Sequence, residues 1–425
     1  MKLKYIIILF ILSSCYTKTE FSNVSIYTPS YTHSRYDIGF ISNNDYDNNI
    51  NYWYNDNKKH ITSNYKKGDK IPLVFLKPST KYKFKINSGS TSSSIYTFKT
   101  RDLPNVFPSF KLKKDSSYHF DGYLLFRTQD NPGIQFMMDD LGDIVWYSIS
   151  DSTLSRPFNI GSDFSYMSQS KKNMFHEISF NADTLFSKNT ESKILHHDIL
   201  KNDSIYVALT YEYLNYATND YDSLIGDGII VFDLKGNTIW QWNIFDHLNP
   251  VNENYMVRED WSHANAIDVD YDGNYLVSFR NFDQIWKIHS VSGEILWKLG
   301  IDGDFNLSDP DIFLQQHAIH KVSTNEYLLF DNGLKDIRNT SRAFSFSINL
   351  EKKKIYNTKS VFLPYDLFSF KQGSVYLIDD NNYLFSSSVN NRTVITNNEG
   401  EILWDLSSDH SYYRVYYVHK NFITN

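Results

Sequence analysis

The chain has 425 residues, 41% of them hydrophobic and 21% charged, with a formal net charge of −7. Single cores stop growing at roughly 250 to 300 residues, so the length leaves room for two domains, and the apolar content excludes global disorder. The negative balance excludes a general basic footprint for nucleic acid, so an anionic substrate would need a local positive pocket.

Residues 1–15 read as a targeting segment. Lys2 and Lys4 precede an apolar run from Tyr5 to Leu12 that is too short to span a bilayer. Leu12-Ser13-Ser14-Cys15 looks like a bacterial lipobox, with cleavage before Cys15 and a lipid on that cysteine. The plain alternative is a secretory signal that happens to contain a cysteine. Either way the expected location is exported; with the lipid, the chain is anchored to a bacterial membrane facing the periplasm or the cell surface. Cys15 is the only cysteine, so no internal disulfide can form and stability must come from packing. After a tether over residues 16–22, residues 23–102 alternate apolar and polar at period two, which predicts a small β-domain. Within it, Leu76-Lys77-Pro78-Ser79-Thr80-Lys81-Tyr82 resembles the tyrosine corner of fibronectin type III and immunoglobulin-like sandwiches. Arg101 to Pro104 forms the linker, because proline restrains its neighbour and cannot join a central ladder.

Over residues 105–425 the chain repeats itself. A Gly-polar-x-hydrophobic-Trp strand recurs at Gly142 to Trp146, Gly236 to Trp240, Gly293 to Trp297 and Gly400 to Trp404. These tryptophans fall one or two units of roughly 50 residues apart, the size of a four-stranded propeller blade. The remaining length then accommodates six blades, with seven not excluded. The expectation is an all-β chain: a six-bladed β-propeller behind an amino-terminal sandwich. A second repeated element is the hairpin from Ile267 to Ser278, turned by Asp272-Gly273. Similar pairs run from Ile199 to Leu209, Ile319 to Phe330 and Val375 to Ser386. The tryptophans read as packing between blades, which leaves the chemistry elsewhere.

Aligning the hairpins on Ile199, Ile267 and Ile319 places His197, Asn265 and His317 at equivalent positions, where the innermost strands of a propeller converge. His263 falls on the same face by strand alternation, and Arg280 lies on the returning strand. Three imidazoles, an amide and a guanidinium would make an anion pocket with a nucleophile at hand. Anchoring on Tyr206 against Tyr275 and Tyr327 instead puts His196 in register, so His196 competes with His197.

The ordered run Asp260-Trp261-Ser262-His263-Ala264-Asn265-Ala266-Ile267, Gly273 to Arg280, Trp297-Lys298-Leu299-Gly300, Gln316-His317, Phe330-Asp331-Asn332-Gly333, Ser341-Arg342-Ala343 and Tyr413-Arg414-Val415 resembles the bacterial arylsulfotransferases that do not use an activated nucleotide sulfate. This resemblance implies that His317 attacks an aryl sulfate and carries the sulfuryl group as a transient sulfohistidine, which a phenolic acceptor then discharges. It implies that His263 and Arg280 hold the sulfuryl oxygens, that His197, followed by Asp198, belongs to the same site, and that Asn265 or His196 touches substrate. A sulfate monoester carries one negative charge, so no cofactor or metal is strictly required. Asn281 stands where the family often has histidine. Two other readings remain open. His197, His263 and His317 could form a three-histidine metal site of a hydrolase or lyase. A non-catalytic surface propeller could instead bind anionic glycans or proteins. The sequence leaves oligomeric state open, a homodimer included.

Overall fold

The computed structural model describes residues 19–420 apart from residues 30, 31, 33, 56, 57, 130, 131, 151–157, 162–164, 182 and 217–221. The signal and lipobox readings, Cys15 among them, lie outside the described residues. Among those described, the regular structure is β-strand with a few short 3-10 turns, and no helix is long and apolar enough to cross a membrane. The chain divides into two compact units, one ending at Leu103 and the other beginning at Pro104.

The first unit contains two sheets. Phe21–Tyr27, Tyr36–Ser42 and Ile71–Leu73 form one; Asn48–Asn55 and Lys81–Ser88 centre the other. The period-two pattern does its expected work in Lys81–Ser88, where Tyr82, Phe84 and Ile86 turn inward onto Ile38, Ile50, Ile71 and Leu73. The Tyr82 hydroxyl accepts the Lys77 amide at 3.0 Å, which ties the strand to the chain just ahead of it as in a tyrosine corner.

Among the described residues the second unit contains six antiparallel sheets of four or five strands. Strands follow one another in sequence within each sheet except where the two ends of the unit interlock. Tyr416–His419 pairs with Gly122–Arg127, and Phe110–Lys114 pairs with Ile402–Ser408. The unit is therefore closed by hydrogen bonds between residues far apart in the chain.

The repeated Gly-to-Trp segments form the strands Ile144–Ser150, Thr238–Asn243, Ile295–Gly300 and Ile402–Ser408. Gly236 and Gly400 take φ of 87° and 85°, the left-handed backbone that lets the turn into each strand close. Three of these indoles bridge to the following sheet. Trp146 Nε1 donates to the Phe180 carbonyl at 2.7 Å, Trp240 to Val291 at 3.1 Å and Trp404 to Asp140 at 3.0 Å. Apolar faces then pack sheet on sheet: Val277, Phe279 and Trp286 meet Val207, Leu209 and Trp242 on one side, while Leu276 and Ile285 meet Phe344 and Phe346 on the other.

The hairpins from the sequence reading are all present. Leu195–Lys201 pairs with Ile205–Asn215, Ala264–Val269 with Tyr275–Phe279, His317–Ser323 with Glu326–Asp331 and Ser374–Asp379 with Asn382–Ser387. The opening strands of the third, fourth and fifth sheets lie side by side. Asn265 Nδ2 donates to the Gln316 carbonyl at 2.8 Å, and the Ile267 amide to Asp198 Oδ2 at 3.2 Å. Each of these strands slips register at the same level, between His196 and Ile199, between Ala264 and Ala266, and between His317 and His320. Such bulges re-aim side chains without ending the sheet.

One expectation is corrected here. Strand alternation was to bring His263 onto the face of Asn265, but the strand begins only at Ala264 and His263 takes φ 51° ahead of it. Its direction comes from a left-handed backbone turn, which an alternation rule does not describe.

Candidate active site

His317 opens its strand directly behind a fully buried Gln316, whose amide donates to the carbonyls of Phe279 and Gln284 and to Ser278 Oγ, fixing the backbone that carries the imidazole. His317 itself is buried. Its Nδ1 lies 3.0 Å from the Gln315 carbonyl and 2.8 Å from Asn332 Oδ1. The Asn332 amide nitrogen donates to the carbonyls of Ser369, at 2.6 Å, and Gln372, at 2.8 Å, so the side-chain oxygen is the atom facing the ring. Both neighbours of Nδ1 are acceptors; Nδ1 must carry the proton and Nε2 the lone pair. That lone pair accepts the Gln372 amide at 3.2 Å. Burial, followed by the nearby charge of Arg280, holds the His317 pKa well below 6.5, so the ring is neutral at neutral pH.

Arg280 leaves the end of Tyr275–Phe279, and its own amide is held by the His263 carbonyl at 3.1 Å. Its guanidinium donates to Asn281 Oδ1 at 3.2 Å and reaches the Phe370 carbonyl at 3.5 Å. Burial lowers its pKa, opposed by Asp283, yet guanidinium remains charged in proteins. Asn281 spans from this group to the Asp260 carbonyl, to which it donates at 2.7 Å.

His263 pairs through Nδ1 with the Asp260 carboxylate, and its ring centroid lies 5.0 Å from that of His197. His197, with φ 48° on its bulge, also approaches the ring of Tyr413 at 6.0 Å, and Tyr413 lies 6.3 Å from His317. The structure therefore brings His197, His263, Arg280 and His317 together. His196 sits behind His197: buried, stacked on Tyr211 at 4.0 Å, with Nε2 3.2 Å from Asp227 Oδ1. Asn265 is also fully buried and holds the Gln316 carbonyl, so it supports the His317 strand from below.

Among the described residues no three or more His, Cys, Asp or Glu side chains are arranged to hold a metal ion, so the three-histidine ligand set is not assembled. His317 Nδ1 in particular is committed to two oxygen acceptors.

Residues 109–404 match the family model of Arylsulfotransferase (ASST). The chain belongs to the arylsulfotransferase family. Membership marks the chain as a sulfotransferase enzyme, with small-molecule aryl sulfate and phenol substrates implied. No curated protein matches the chain. Solved structures similar to this chain include WD40 domains. A protein of unknown function from Bacteroides caccae is 12% identical with a TM-score of 0.46, over 71% of this chain and all of that one. The WD40 domain of Neurospora crassa Pan2 is 9% identical at 0.34, over 69% and 88%. Virginiamycin B lyase from Staphylococcus aureus is 13% identical at 0.34, over 69% and 87%.

Several residues that shape the site carry no role in the sequence reading. Asn332 and Arg414 appear there only as parts of the family pattern, while Asp227 and Gln372 do not appear at all. Arg414 donates to Asp198 Oδ2 at 3.0 Å and to the Asn265 carbonyl at 2.6 Å, linking the closing end of the unit to two opening strands. Burial, the largest influence, opposes its charge, but Asp198 together with Tyr416, Tyr376 and Tyr413 outweighs it and holds the pKa well above the ordinary value. Asp227 had one local signal: it stands between Gly226 and Gly228 in an otherwise apolar strand, where a Cβ at Gly226 would collide with Phe245 and Ile244.

Proposed function

We propose that this arylsulfotransferase moves a sulfuryl group from an aryl sulfate to a phenolic acceptor through a covalent intermediate on His317 Nε2. The observation that carries this reading is the lock on Nδ1: two oxygen acceptors fix the tautomer, and a depressed pKa keeps the lone pair available. In the donor half-reaction the N–S bond forms as the ester S–O bond breaks, and the electron pair leaves with the aryl oxide. The acceptor oxide then attacks sulfur, and the pair returns to Nε2. Arg280 and His263 grip the equatorial oxygens, on which negative charge gathers during transfer. The Gln372 amide, now on the lone pair, must yield to sulfur, after which it can donate to a sulfuryl oxygen.

The same reading takes the six sheets as blades of one six-bladed ring, with their opening strands innermost, and the first unit as a sandwich. It also keeps the lipid anchor at Cys15 as the tether to a bacterial membrane. Support for the ring comes from the interlocked ends and from the indole bonds between successive sheets.

The test is transfer from 4-nitrophenyl sulfate to phenol, with His317→Ala as control. Expected are a nitrophenol burst stoichiometric with enzyme, ping-pong kinetics and one sulfuryl group on His317 in the intact-protein mass. Sustained nitrophenol turnover without acceptor, or full activity in His317→Ala, overturns the proposal.

A further inference from the structure

The segment ahead of His263 carries a second guanidinium, Arg258, that the reading of His317 does not use. Residues 255–263 run along the 3-10 turn Arg280–Phe282. Tyr255 stacks on Phe282 with ring centroids 3.8 Å apart and donates to Gln284 Oε1 at 2.8 Å. The Asp260 carbonyl accepts Asn281 Nδ2 at 2.7 Å, and the His263 carbonyl accepts the Arg280 amide at 3.1 Å. On its other side the segment is pinned to the strand Ser223–Asp233. The Ile225 amide donates to the Glu259 carbonyl at 2.7 Å, and the Trp261 amide to the Ile225 carbonyl at 2.8 Å. Arg258 therefore stands on a fixed backbone beside Arg280, and its charge acts on that guanidinium next after burial and Asp283.

Arg280 donates to Asn281 Oδ1 and reaches the Phe370 carbonyl, while Arg258 meets only the Met256 sulfur, at 3.5 Å. A guanidinium offers five N–H donors and a thioether is a weak acceptor, so most of the Arg258 donors are unused by the described residues. Its Nε is shielded from water and has no hydrogen-bond partner. The two carboxylates that act on Arg280 are committed elsewhere. Asp260 holds His263 Nδ1, and Asp283 accepts the backbone and side-chain amides of Gln315. Both arginines are half-buried, which leaves them within reach of a ligand. A sulfate ester brings one negative charge, which Arg280 matches; Arg258 is left for a second.

We propose that Arg258 forms a subsite for a second anionic group, so that the enzyme selects aryl substrates whose ring also carries a carboxylate or a further sulfate. This rests on the sulfuryl-transfer reading above and adds no step to it. A planar guanidinium takes a carboxylate or a sulfate through two parallel hydrogen bonds, and partial burial strengthens them. Arg280 holds the group in transfer. Arg258 holds the substituent that stays with the aryl ring, which fixes how that ring lies against His317. The whole-chain charge of −7 disfavours an anionic substrate, so a preference for one has to come from a local pair of this kind.

The test measures kcat/KM for transfer from 4-nitrophenyl sulfate to 4-hydroxyphenylacetate, to its carboxamide and to tyramine, which share a phenol of similar reactivity and differ in charge. Wild type should prefer the carboxylate to the carboxamide by about tenfold, between the scale of an exposed ion pair and that of a buried charged hydrogen bond. Added salt should shrink the preference. In Arg258→Gln the ratio falls to about one, Arg258→Lys restores part of it, and Arg258→Glu turns the preference toward tyramine. A ratio taken within one variant does not depend on how much of the protein is folded. A ratio near one in wild type, or an unchanged ratio in Arg258→Gln, overturns the proposal. Should no variant fold, the Nε–H signal of Arg258 in nitrogen-labelled wild type decides it. A shift with 4-hydroxyphenylacetate and none with the carboxamide sustains the subsite; equal responses overturn it. Absence of any transfer to phenol in wild type would instead remove the sulfuryl-transfer reading itself.

Discussion

Asn332→Ala probes the tautomer lock most directly. The substitution removes the acceptor 2.8 Å from His317 Nδ1 and the two donations to Ser369 and Gln372. Gln315 still faces Nδ1 at 3.0 Å, so the lock is weakened and not abolished. One neutral buried hydrogen bond is worth about 1 kcal/mol, which favours the productive tautomer roughly fivefold, and two carbonyls left without a donor add about 2 kcal/mol of destabilisation. The expected result is a burst rate with 4-nitrophenyl sulfate lowered about five- to tenfold, together with a lower unfolding midpoint. Asn332→Asp supplies the contrast. A carboxylate keeps an acceptor on Nδ1 but raises the pKa of His317, so the burst persists at high pH and its acid limb moves upward. Stopped-flow release of nitrophenol across pH reads both. A burst within twofold of wild type in folded Asn332→Ala would refute the argument that Asn332 holds the nucleophile in its reactive form.

Other outcomes follow from the same geometry. Because the His317 pKa is lowered from 6.5, the ring gains its proton only on the acid side of that value; the wild-type burst should stay flat down through pH 6.5 and fall below it. The same sign applies to stability, since the contribution of neutral His317 is present above pH 6.5 and lost as pH falls through the depressed folded value. Arg280→Ala should slow the burst by about 10² to 10³, the cost of losing one oxyanion donor, with little change in unfolding midpoint. Arg414→Leu leaves buried Asp198, whose carboxyl burial already pushes up, without the guanidinium that opposes that shift, so urea titration should show a loss of about 3 to 5 kcal/mol. Gly373 takes φ 90°, and a Cβ there would lie 2.6 Å from the Phe330 ring, so Gly373→Ala should cost about 1 to 3 kcal/mol and disturb the neighbouring Gln372 amide at His317.

Much of this molecule is written locally in its sequence. Period two in Lys81–Ser88 sets which residues turn inward, because successive side chains of a strand point to opposite faces whatever the strand packs against. The recurring glycines and tryptophans mark turns and the strands they lead into for equally local reasons, and the segment around Gln316-His317 carries part of the family resemblance from which His317 is proposed as nucleophile. The hairpins likewise carry their own turns. Tertiary structure alone decided how the imidazoles are used. The bulges at His197, Asn265 and Ala318 break the alternation from which side-chain directions are read, and the left-handed turn at His263 lies outside the strand altogether. Asn332, Gln372, Asp227 and Arg414 reach the site from other strands, from a loop and from the closing end of the unit. Protonation depends on which atom faces which at about 3 Å. That distance is set by how whole sheets pack, and no spacing along one strand encodes it.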